Sequence, residues 1–108
     1  MYTSRQAGEI LTLPSVATIA DGIAVKQPGD LTFALCQQYV DDIVTVTEES
    51  LRKAVKLASL YGKLTLEGAA VLPRASLLEG KTAIEDPTVL VCTGGNIDKA
   101  VLSACLES

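Results

Sequence analysis

The stretch Val89-Leu90-Val91-Cys92-Thr93-Gly94-Gly95-Asn96 decides how this chain is read. It opens with an unbroken apolar run and closes on a hydroxyl residue, two glycines and an asparagine. Residues 97–106 follow, in which Ile97, Ala100, Val101, Ala104 and Cys105 recur at the spacing of one helix face. An apolar run without alternation suits a strand buried on both faces, as in a parallel sheet. The pattern predicts strand, glycine turn and helix, with Asn96 as N-cap and Asp98 in the first turn. In open α/β sheets, ligands sit beyond the carboxyl ends of strands, where such a turn lies. Thr93 to Asn96 are therefore candidate ligand contacts. A purely structural tight turn is the other reading, because strand–Gly-Gly–helix is a weak motif.

The composition limits the function classes. The chain has 108 residues, 48% of them hydrophobic and 20% charged, which is a globular composition and enough for one small domain. A net charge of −4 argues against a nucleic-acid surface. The absence of histidine removes imidazole acid–base chemistry and every histidine-ligated metal site within this chain, so no metal ligands are expected. Cys36, Cys92 and Cys105 are widely spaced, form no C-x-x-C pair, and are expected as buried free thiols in a reducing cytoplasm. No apolar run approaches the ~20 residues of a membrane span, and no secretory signal is visible.

Working outward from the central stretch, Met1 to Gly8 is polar and suits about one helical turn, and residues 9–13 suit a short extended piece stopped by Pro14. Asp21-Gly22 marks a tight loop. Pro28-Gly29-Asp30 is a breaker with Asp30 as N-cap, and Leu31 to Val40 is predicted helical with Leu31, Ala34 and Leu35 inward. Ile43 to Val46 is a second predicted strand. Thr47 caps the next helix, whose inner stripe is Leu51, Ala54, Val55 and Ala58, and Gly62 stops it. Leu64 to Leu78 is a further helical stretch that Pro73 should kink or split, ended by Gly80. The alternation predicts an α/β fold, a parallel sheet fragment with flanking helices.

So few strands make a poor sheet, since each needs a neighbour and cover on both faces. A mean hydropathy of +0.33 is high for so small a domain. The chain is thus expected to present apolar surface or open strand edges to a partner: another copy of itself or a complementary segment.

Four blocks carry a family resemblance. Thr18-Ile19-Ala20-Asp21-Gly22-Ile23-Ala24-Val25-Lys26-Gln27-Pro28-Gly29, Tyr39-Val40-Asp41-Asp42-Ile43-Val44-Thr45-Val46, Glu67-Gly68-Ala69-Ala70 and Cys92-Thr93-Gly94-Gly95-Asn96-Ile97-Asp98 occur in that order. They resemble blocks of the threonine and serine dehydratases, pyridoxal-phosphate enzymes of the tryptophan-synthase-β fold type (fold type II). The resemblance covers nearly the whole chain and implies the C-terminal portion of the large domain, residues 1–108 as a single truncated domain.

It also implies roles. Thr93 stands where the family has a serine whose hydroxyl donates to the pyridine nitrogen, a neutral partner that leaves the ring a weaker electron sink. Glu67 stands where the family has a glutamate near the same ring. Gly94 and Gly95 would let the backbone approach the ring, with Asn96 beside them. The Schiff-base lysine, the phosphate-cradling glycine loop and the cation site lie upstream of the matched region, and Lys26, Lys53, Lys56, Lys63, Lys81 and Lys99 fall in other blocks. The parent reaction is elimination of water from a hydroxyamino acid, giving a 2-oxo acid and ammonia. This chain alone is expected to bind no cofactor and catalyse nothing. The alternatives are a stand-alone α/β protein that assembles through its open edges, or a residual small-molecule site around Thr93. Pro73-Arg74 departs from the small apolar helix of the family.

Overall fold

The computed structural model describes residues 1–108. The chain, expected from its sequence as one domain, forms two compact units: Met1–Ala17 with Ala24–Thr45, and Thr18–Ile23 with Val46–Ser108.

The first unit carries two helices. α1 (Tyr2–Ala7) ends at Gly8, whose φ of 76° turns the chain so that the Gly8 N–H donates to the Arg5 carbonyl and the Glu9 N–H to the Ser4 carbonyl, each at 3.2 Å. The Ser4 hydroxyl is buried and accepts from the Leu11 N–H at 3.0 Å, which pins the chain after the helix. Arg5 Nη2 donates to the Asp41 carbonyl at 2.7 Å. α2 (Asp30–Tyr39) is capped by Gly29, so Asp30 sits in its first turn, where its charge still complements the helix dipole. The expected inward face is corrected. Leu31 and Leu35 are exposed and α2 has no buried residue. An apolar stripe is buried only if something packs on it, and this unit has Ser4 as its one fully buried side chain.

The second unit holds the core. α3 (Glu48–Leu60) lies between α4 (Leu72–Leu78) and α5 (Lys99–Glu107). Its stripe Leu51, Ala54, Val55 and Ala58 is buried as the spacing predicts, and Ala70, Val71, Ala75 and Cys105 pack with it. The Thr47 hydroxyl caps α3 by accepting from the Ser50 N–H at 3.2 Å. Glu79, just beyond α4, adds a second tie. Its Oε1 accepts from the Thr47 N–H at 2.7 Å and the Thr47 hydroxyl at 2.8 Å. Lys81 pairs with its other oxygen at 2.8 Å. The Lys81 ammonium, then the Thr47 and Ser50 donors, hold the Glu79 carboxyl at about 2, against an ordinary 4.5.

Three helix boundaries differ from the sequence reading. Residues 64–68 are not helical: Lys63 takes φ 55° after α3, and helix begins only with a short 3₁₀ turn at Ala69–Val71. Pro73 falls in the first turn of α4, where its missing N–H costs nothing, so it starts a helix instead of breaking one. α5 is capped by Asp98 and not by Asn96. Asp98 Oδ1 accepts from the Ala100 and Val101 N–H groups at 2.7 and 3.3 Å. On α5, Cys105 is fully buried while Ala100 and Ala104 are exposed.

The predicted sheet does not form. Ile10–Leu13, Ile43–Val46 and Val89–Val91 carry no β-ladder. A parallel strand gains its hydrogen bonds only from flanking strands, and these segments lie beside none. Cys92 is exposed with them, correcting its expected burial, and Cys36 is half-buried; all three cysteines are free. No helix is long and apolar enough to cross a membrane.

Candidate functional site

Glu67 and the glycine turn, 29 residues apart, meet in the second unit. Glu67 Oε2 accepts from the Asn96 N–H at 3.0 Å, and the Glu67 N–H donates to the Gly94 carbonyl at 3.2 Å. The half-buried Glu67 is therefore no solvated carboxylate at a helix start. It closes a two-bond clasp on the turn.

The glycines are explained by this clasp. Gly94 has φ 101°, a conformation side chains rarely adopt, and a Cβ there would stand 2.7 Å from the Glu67 carboxylate carbon. A Cβ on Gly95 would stand 2.9 Å from the Thr65 carbonyl. Both approaches are made by the protein itself. Gly68 belongs to the same arrangement: a Cβ would run into the Ile19 carbonyl. Segment 65–68 thus touches both 19–22 and 94–96, and Ala20 is fully buried.

A cleft of about 190 Å³ opens at this junction, with Thr18, Asp21, Glu67, Asn96 and Asp98 among its lining residues. Thr93, Gly94 and Gly95 lie outside that lining, and Thr93 is exposed. Sequence reasoning missed Asp98 as the cap and the contribution of Thr18 and Asp21. The Asp-Gly at 21–22 was the signal available, since it marks a turn that must be placed somewhere.

A pyridoxal-phosphate ring would need a hydroxyl partner for its nitrogen and donors for its phosphate, and the chain offers only the first. Thr93 offers a neutral hydroxyl donor on an exposed turn whose backbone is held rigidly by Glu67. The residues do not fit the phosphate. The N-terminal amides of α5, the natural anion cradle, already bond Asp98, whose negative charge opposes a second anion. Nor does a lysine line the cleft.

Residues 1–94 match the pyridoxal-phosphate dependent enzyme family. The chain belongs to that family. It is 42% identical over 107 residues to the L-threonine ammonia-lyase of Geobacter sulfurreducens, which covers 98% of this chain and 27% of the relative. Among solved structures, the processed form of threonine deaminase isoform 2 from Solanum lycopersicum superposes with a TM-score of 0.84 at 30% identity. It covers 98% of this chain and 32% of its own. Maize serine racemase gives 0.79 at 28% identity, covering 98% and 35%. The chain spans between about a quarter and a third of the length of the proteins it matches, and the structural neighbours are fold-type II pyridoxal-phosphate enzymes, consistent with their large domain.

Proposed function

We propose that this chain presents the ring-nitrogen edge of a pyridoxal-phosphate site of the threonine dehydratase type. The parent chemistry is elimination of water from a hydroxyamino acid, with release of a 2-oxo acid and ammonia. The supporting observation is the clasp of Glu67 on Gly94 and Asn96, which fixes the backbone on which Thr93 stands. Thr93 donates its hydroxyl to the ring nitrogen. Gly94 leaves room for the Glu67 carboxylate and Gly95 for the Thr65 carbonyl. The Asn96 N–H donates to the Glu67 carboxylate and so sets the register of the turn. When bound, pyridoxal phosphate supplies a conjugated ring that takes up electron density as bonds to the substrate α-carbon break.

The chain alone is not a dehydratase on this reading. It offers no lysine in the cleft to anchor the cofactor or to take the α-proton. It retains no stoichiometric cofactor by itself and acts, in a reducing cytoplasm, as part of a larger site.

The test uses pyridoxine 5′-phosphate, which lacks the aldehyde and so cannot react with lysines. Titrated at millimolar concentration into the labelled chain, it should shift the backbone amides of residues 93–96, and Thr93→Val should remove the effect. Shifts elsewhere, or shifts that Thr93→Val leaves intact, would refute the ring-edge reading.

A further inference from the structure

Glu48, in the first turn of α3, reaches a segment 29 residues upstream. Its Oε2 accepts from the Ile19 N–H at 3.0 Å. At the other end of the same residue, the Ile19 carbonyl packs against Gly68 so closely that a Cβ there would run into it. Ile19 is therefore held twice, by α3 through its N–H and by the Glu67-Gly68 segment at its carbonyl. Its neighbours are tied to one another. The Ala20 N–H donates to the Thr18 hydroxyl at 3.0 Å, and the Ile23 N–H to the Ala20 carbonyl at 3.0 Å. Residues 18–23 thus form one piece, and it gives Thr18, Ile19 and Asp21 to the cleft lining. The same piece confines Glu67. A Cβ on Gly22 would stand 3.5 Å from Glu67 Oε1, and a Cβ on Gly94 would stand 2.7 Å from the carboxylate carbon. Backbone approaches that carboxylate from two segments.

We propose that Glu48 is a positioning residue for the ring edge. It acts through Ile19. Holding that N–H seats residues 18–23 against Gly68 and Glu67, and the seated Glu67 carboxylate holds Asn96 and the turn that carries Thr93. The proposal deepens the ring-edge reading and rests on it for its consequence in binding. An acid in the first turn also stabilises a helix by complementing its dipole, a role that Glu49 shares. The two roles need different things. The dipole needs a charge, whereas the Ile19 N–H needs an acceptor oxygen at one place. Glu48→Gln removes the charge and keeps the oxygen. Glu48→Asp keeps the charge and withdraws the oxygen by one methylene.

Amide exchange on the labelled full chain separates the roles. The amides of Val55 and Cys105, in the core, report global unfolding and serve as the reference. Relative to them, Glu48→Ala should speed exchange of the Ile19 amide by at least about tenfold. It should speed exchange of the Asn96 amide by at least about twofold. Glu48→Asp should do the same with the helix dipole intact, and it decides the matter if Glu48→Ala fails to fold. Glu48→Gln should keep both amides protected. Glu49→Ala should alter Ile19 and Asn96 only as far as it alters the reference. In a titration with pyridoxine 5′-phosphate, Glu48→Ala should need at least about twofold more ligand to shift residues 93–96, and Glu48→Gln should not.

An Ile19 amide that stays protected in Glu48→Ala and Glu48→Asp overturns the proposal. So does an Asn96 amide that only follows the core, or a Glu48→Gln chain that exchanges like Glu48→Ala. If pyridoxine 5′-phosphate moves no amide of residues 93–96 in the wild-type chain, the ring-edge reading fails by itself. The exchange data then still decide whether Glu48 positions the turn.

Discussion

Glu67 Oε2 lies 3.0 Å from the Asn96 nitrogen, so a carboxylate before one helix holds the turn before another. A charge-assisted bond of this kind contributes about 1.5–3 kcal/mol. Glu67→Ala should speed exchange of the Asn96 amide and destabilise the chain by about that amount, while Glu67→Gln, which keeps an acceptor, should lose less. Hydrogen exchange followed by NMR reads both. Equal exchange in wild type and Glu67→Ala would show that the bond is not formed in solution.

Gly94 should tolerate no side chain. Its φ of 101° and the 2.7 Å approach to Glu67 combine backbone strain with a steric clash. Gly94→Ala is expected to cost more than ~1 kcal/mol in urea unfolding and to release the Asn96 amide. Gly80→Ala makes the comparison clean. There φ is 65° but open space surrounds the added carbon, so only the strain remains and the loss should be smaller.

Leu51 is 2% exposed at the N-terminal end of the α3 stripe. Leu51→Ala removes buried methyl groups and leaves a cavity, a loss of about 2–5 kcal/mol. Chemical denaturation measures it. Leu31→Ala, on the bare face of α2, should fall within about 0.5 kcal/mol of wild type. A large loss there would mean that α2 is covered after all.

Glu79 gives the chain an acid-sensitive tie. Its folded carboxyl titrates at about 2, below its ordinary 4.5, because Lys81, Thr47 and Ser50 favour the charged form. A lowered folded value means that the contribution is fully present above 4.5 and is lost as the pH falls through 4.5 toward 2. The stability gap between wild type and Glu79→Gln should therefore be constant at neutral pH and shrink over that window. A gap that grows on acidification would contradict the assignment.

What was legible in the sequence follows from which residues act locally. The cap Thr47 and the stripe Leu51, Ala54, Val55 and Ala58 depend on helix period and a capping hydroxyl, and both are as read. Pro73 misled because the same ring breaks a helix interior and opens a helix start, and only the surrounding path decides which. The local pattern points to Asn96 as the cap of α5, but the helix starts at Lys99, so the carboxylate directly before it, Asp98, accepts from the Ala100 and Val101 N–H groups. The strands at Ile43–Val46 and Val89–Val91 were read from apolar runs, which report that a segment is suited to burial. They do not report whether a neighbour is present to pair with it. At the site, the resemblance singled out Glu67 and the turn, and the fold brings them together. The contact that joins them spans 29 residues and leaves no mark in local pattern.

On the proposed function, this chain holds the ring edge of a pyridoxal-phosphate site and has no lysine in the cleft to anchor the cofactor. The most direct measurement adds pyridoxal phosphate to the purified chain, records the cofactor absorbance, and maps any borohydride-trapped adduct by mass spectrometry. No saturable lysine adduct and no release of 2-oxo acid from threonine or serine is the expected result. A stoichiometric adduct on a single one of the six lysines, accompanied by turnover, would contradict it.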